Sequence, residues 1–210
     1  MGTWGDGLYD NDSALDLVAA LTEVGEQTDA TTLVARIGLA AWLDPSAITC
    51  ASDELRAAVA THAAEIAALP PGTREGLAGL LADPEGSTRD GSRSERLRGV
   101  IGGYCDGPRI DALLRFAGAQ PVIDAVGEEA AEILDRACAP SSRDLHEIAG
   151  ELAALGLVVE LVESGLWRPT PGRVAAWRRG VAEADQRTTE EREFWDVYAG
   201  RVGQALELAG

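Results

Sequence analysis

The chain has 210 residues, 35 of them Asp or Glu and 18 basic, for a formal charge of −17. All of the basic residues are Arg, hydrophobic residues make up 46% and aromatics only 5%. A chain this apolar folds rather than staying disordered. One this acidic is poorly suited to neutralising nucleic-acid phosphates or docking on anionic lipid.

The chain opens with Trp4-Gly5-Asp6-Gly7-Leu8-Tyr9-Asp10-Asn11-Asp12-Ser13-Ala14-Leu15-Asp16. Gly5 and Gly7 permit a positive-φ bend that folds Trp4 and Tyr9 back onto the first helix. Asn11, Asp12 and Ser13 offer N-cap oxygens ahead of a helical stripe of Leu15, Val18, Ala19 and Leu21. The stretch resembles a bacterial family of unknown-function domains. Its members open with Trp-Gly-x-Gly, an aromatic, Asn-Asp, then Ala and an Asp two positions on. Trp4, Gly5, Gly7, Tyr9, Asn11, Asp12, Ala14 and Asp16 carry the likeness, within residues 1–24. The resemblance brings no activity with it, and the residues themselves read as a packing and capping device. Asp6, Asp10, Asp12 and Asp16 lack the central Gly and closing Glu of an EF-hand loop, so no metal site is expected.

Charge is unevenly spread. Residues 1–54 hold ten acids against one Arg, and 106–163 hold twelve against four. Residues 55–105 and 164–210 are each balanced, so the whole excess lies in two blocks. Asp53 opens a segment with Leu55, Val59, Ala63 and Ile66 at helical spacing, and Pro70-Pro71-Gly72 breaks the chain after it. Residues 84–94 contain turn formers and no apolar side chain, which predicts an exposed linker. The expected organisation is an N-terminal helical lobe over 1–83, the linker over 84–94, and a C-terminal helical lobe over 95–210.

Residues 120–139 carry Pro121 in the first turn and place Val122, Val126, Ala130, Ile133 and Ala137 along one face of a helix. Leu145, Ile148, Leu152 and Leu155 predict another over 142–155, after a Ser141-Ser142 cap. The β-branched run Leu157-Val158-Val159-Glu160-Leu161-Val162, followed by Glu163-Ser164-Gly165, allows a short β-hairpin near 157–168. Continuation of the preceding helix to Val162 is the equal alternative. Helix 145–155, Gly156-Leu157 and Thr170-Pro171-Gly172-Arg173 together resemble the end of a winged-helix domain, with one residue fewer in the closing motif. Acids at Asp144, Glu147 and Glu151 would repel DNA there, so the resemblance points to protein rather than nucleic acid. A last helix is expected over 188–208, with Glu190 and Glu191 suiting the dipole of its first turn.

Asp124, Glu128, Glu132 and Asp135 recur at i, i+4, i+8 and i+11, so all four project from one side of the 120–139 helix. Glu147 and Glu151 extend the pattern. Only Arg136 stands four residues after an acid of the stripe, and like charges at this spacing cost a few tenths of a kcal/mol per pair. A solvated face accounts for such a stripe. So does a docking surface for a basic protein, with steering that weakens as salt rises.

No catalytic constellation is visible. His62 has no nearby Cys or paired acid, and His146 stands at no zinc spacing from Cys138. Glu-x-x-His, the phosphate-binding glycine loops and a Gly-x-Ser-x-Gly elbow are absent, and Gly99-Val100-Ile101-Gly102-Gly103 follows an Arg-rich loop rather than a strand. No cofactor is expected. Cys50, Cys105 and Cys138 are unclustered and odd in number, which fits reduced thiols. The first 30 residues hold no basic residue or apolar core of a secretory signal, and Leu155–Val162 is too short for a bilayer, so a cytoplasmic protein is expected.

These readings converge on a mainly α, multi-helix protein of about eight to ten helices, with a short β-hairpin as one option. The expected function is a non-enzymatic, cytosolic protein-binding module whose acidic faces dock a basic partner, a chemistry that suits toxin neutralisation or defence. Two alternatives stand beside it. One is a small-molecule-binding or resistance protein, or an enzyme, with an inter-lobe pocket lined by Trp42, Trp167, Trp177, Trp195 and Phe116, residues expected foremost as core. The other is a winged-helix-like regulator.

Overall fold

The computed structural model describes residues 19–23, 25, 28–43, 45–84, 107–137, 157–158, 161–184 and 207. It is mainly helical, and there is no strand among the described residues. They fall into two compact units. One holds the described residues from 19 to 124, the other those from Ala125 onward, and the division lies inside a single helix.

In the first unit, α1 (Ala30–Leu43) is apolar on every side, with 11 of its 14 residues buried, as befits a helix at the centre of a core. Asp29 caps it. Its Oδ1 accepts the N–H groups of Thr31 and Thr32 at 2.9 Å each, and its Oδ2 accepts the Thr32 hydroxyl at 2.7 Å. The bonds from Thr32, backbone first, hold the Asp29 carboxyl below the usual carboxylate range. At the other side of α1, the Arg36 guanidinium donates to the Ala20 carbonyl.

The short α2 (Pro45–Cys50) inserts Ile48, and α3 (Ser52–Thr61) and α4 (Ala63–Ala67) follow. The single helical segment expected from Asp53 to Ile66 breaks at His62, whose backbone leaves the helical region at ψ 17°. The pattern still locates the anchors, since Leu55 and Ile66 are the residues buried on α3 and α4.

Pro70 and Pro71 open α5 (Pro71–Ala82), where the missing Pro71 N–H costs nothing. Helix α6 (Pro108–Leu114) follows the expected linker in sequence and packs on α1 and α5. Two glycines make that approach possible. A Cβ on Gly38 would lie 2.8 Å from the Leu113 Cβ, and one on Gly76 would lie 2.7 Å from the Arg109 carbonyl oxygen. Between them Ile110, Leu113 and Leu114 are buried, each burial worth about 1.5–3 kcal/mol. The buried Thr73 hydroxyl donates to Ala112 O at 3.1 Å. The last carbonyls of α5 have arginine donors: Arg56 reaches Leu81 O at 2.9 Å, and Arg109 reaches Gly79 O at 3.3 Å and Asp83 O at 3.4 Å.

Helix α7 (Gln120–Ala137) begins in the first unit and continues into the second, with Pro121 in its first turn as the sequence predicts. Its most buried line is Ile123, Gly127, Ala130, Ala131 and Leu134. The expected line through Val122, Val126 and Ile133 is a half-buried shoulder beside it. Helix α8 (Pro171–Ala184) belongs to the second unit.

Of the two options at 157–168, the hairpin is absent among the described residues there. Residues 157–158 and 161–163 are helical, and Leu157, Val158, Leu161 and Val162 are all buried, a spacing that suits one side of a helix. The turn after them is a helix stop. Leu166 N–H bonds Leu161 O at 2.9 Å, Gly165 N–H bonds Val162 O at 3.0 Å, and Gly165 sits at φ 69°. That bond pair with a left-handed glycine is a Schellman cap, closed by the buried Leu161 and Leu166. The winged-helix reading thereby loses its wing. Residues 85–94 of the expected linker, the helix over 142–155 and most of that over 188–208 lie outside the described residues.

Candidate functional site

Burial of Ile123, Gly127, Ala130, Ala131 and Leu134 fixes the rotation of α7, and the opposite side must face water. Asp124, Glu128, Glu132 and Asp135 are accordingly exposed, and so are Glu129 and Arg136. Trp167 helps hold this orientation. A Cβ on Gly127 would fall 2.5 Å from the indole, so the ring lies directly against the helix backbone and is itself buried.

The second support comes from α8, whose first turn is set by Pro171 and by Thr170 O, which accepts the N–H groups of Arg173 and Val174 at 3.0 and 3.2 Å. This places Arg173 between two carboxylates of α7. Its Nη1 meets Glu128 Oε2 at 2.7 Å, while Nε and Nη2 both reach Asp135 Oδ2 at 2.9 Å. One turn on, the buried Trp177 donates Nε1–H to Asp135 Oδ1 at 2.7 Å. Both oxygens of Asp135 are therefore engaged. The Glu128 hydrogen bond, then that of Asp135, raises the pKa of Arg173 above its ordinary value.

The Arg173 side chain is 20% exposed, but Glu128 and Asp135 are 54% and 42% exposed. Solvent screening therefore keeps each pair to about 1 kcal/mol or less. What the fork does more decisively is fix geometry, since a planar guanidinium spans two carboxylates that an ammonium would bind as a point.

The structure thus divides the acids that the sequence groups together. Asp124 lies in the first unit and accepts the Gln120 side-chain amide at 2.8 Å. Glu128 and Asp135 hold Arg173. Glu129, absent from the sequence stripe, and Glu132 are exposed on the second unit's part of α7. Arg173 and Trp177 act from 38 to 45 residues away, and no local spacing signals them. Glu147, Glu151 and the opening motif Trp4, Gly5, Gly7, Tyr9, Asn11, Asp12 and Asp16 lie outside the described residues.

The remaining candidates are distributed through the fold. Trp42, Trp167 and Trp177 are buried, Phe116 is half-buried, and Trp195 lies outside the described residues. His62 Nδ1 stands 3.4 Å from Glu65 Oε1, one turn away on the neighbouring helix. Cys50 is exposed. Among the described residues no three His, Cys, Asp or Glu side chains gather as a metal site, and no helix is long and apolar enough to cross a membrane.

Residues 2–87 match a protein family described as Domain of unknown function (DUF4259). This part of the chain is therefore similar to a domain family of unknown function, and the match runs past the opening motif through the end of α5, stopping before α6. No curated protein and no solved structure matches the chain.

Proposed function

We propose that the protein is a non-enzymatic binding module that docks a basic protein partner on the acidic side of α7. One observation carries this reading. The packing of Gly127 against Trp167 and the Arg173 fork commit α7 to an orientation that presents Glu128, Glu129 and Glu132 to solvent. Carboxylates held this way attract arginine-rich surfaces and speed encounter, an effect that fades with salt. The Arg173 contact illustrates the chemistry, a guanidinium seated between carboxylates of the same helix.

The net charge of −17 adds long-range attraction for a cationic partner. Asp124 in the first unit, and Glu147 and Glu151, are further carboxylates that this reading assigns to partner contact. A cytosolic, toxin-neutralising or defence-associated role suits a protein that covers a basic one. The likeness of the opening motif to a bacterial family supports a bacterial setting.

Site-specific photocrosslinking tests the proposal. A crosslinker at position 129 or 132 is expected to capture a basic protein at low salt, with the yield falling at high salt. The same group at the exposed Ala175 on α8 is expected to capture little. Equal capture from all three positions, or capture indifferent to salt, contradicts the assignment.

A further inference from the structure

We draw no further inference here: the strongest candidate, the exposed small-residue surface of α3 and α4 around Ala57, Ala60, Ala64 and Ala67, carries nothing because none of the described residues shows what covers it.

Discussion

Each of the two units has its own packing physics. In the first, α6 sits against α1 and α5 because side chains are missing, with Gly38 and Gly76 letting Leu113 approach as closely as backbones allow. In the second, α7 and α8 are joined by the hydrogen bond of a buried tryptophan and by an arginine fork. Glycine packing is indifferent to salt and intolerant of added volume. A partly exposed ion pair leaves room for added volume but depends on the donor geometry of its arginine and answers to ionic strength.

The largest effects should come from the anchors of each unit. Trp177→Ala is expected to lower stability by about 3–5 kcal/mol and Leu113→Ala by about 2–5 kcal/mol, read from denaturant midpoints. Trp177→Phe separates packing from polarity. It keeps most of the ring but removes the donor to Asp135, and a loss of about 1–3 kcal/mol is expected. An unchanged midpoint would show that this hydrogen bond contributes nothing net.

Next in size is a pair of glycine substitutions with opposite signs. Gly76→Ala forces a Cβ to within 2.7 Å of the Arg109 carbonyl, and overpacking of about 1–3 kcal/mol exceeds the gain of roughly 1 kcal/mol in helix propensity. Gly72→Ala, on the same helix with nothing within 4 Å, should instead stabilise by up to about 1 kcal/mol. Thermal melts that move in the same direction for both would remove close approach as the reason for Gly76.

Arg173→Met comes third, with an expected loss of about 1 kcal/mol at low salt that shrinks as salt is added. Arg173→Lys should recover only part of it, because the fork to Asp135 is lost. Full recovery would reduce the contact to simple charge.

The smallest effect concerns Asp29. Asp29→Ala removes the cap of α1 and should cost about 1 kcal/mol, whereas Asp29→Asn should retain most of it at neutral pH. The folded pKa of Asp29 is lowered, so its contribution is present above the unfolded value of about 3.8 and is lost as pH falls through the folded value. Acid titration of stability should therefore be shallower below pH 4 in Asp29→Asn than in the parent. Parallel curves would rule out a linked contribution from this carboxylate.

Among the described residues the amphipathic α7 was legible in the sequence, and the almost wholly buried α1 was less so. Pro121 and the 3.6-residue spacing locate α7, and Leu55 and Ile66 mark the buried points of α3 and α4. Helix α1 has no stripe to find, because it is buried on nearly all sides and carries apolar residues around its whole circumference. The β-branched run at 157–162 suggests a strand as readily as a helix. The deciding feature is the cap, in which Gly165 takes a left-handed conformation and Leu166 folds back on Leu161.

At the candidate site, i+4 arithmetic correctly exposes Asp124, Glu128, Glu132 and Asp135. It misses Arg173, whose charge reaches Glu128 across 45 residues of sequence. Counter-ions supplied by another helix are invisible to a periodicity argument. It also passes over Glu129, which lies one position off the stripe but on the same wet side.

The central claim is that the outward carboxylates of α7, rather than net charge alone, recognise a basic partner. The most direct measurement compares association rates of the crosslinked partner with two doubly neutralised proteins at several salt concentrations. Glu129→Gln with Glu132→Gln is expected to slow association about tenfold and flatten its salt dependence. Asp53→Asn with Glu54→Gln removes the same charge from the exposed start of α3 and should leave the rate near that of the parent. Equal slowing by the two pairs would contradict the account and leave only unspecific attraction to an acidic protein.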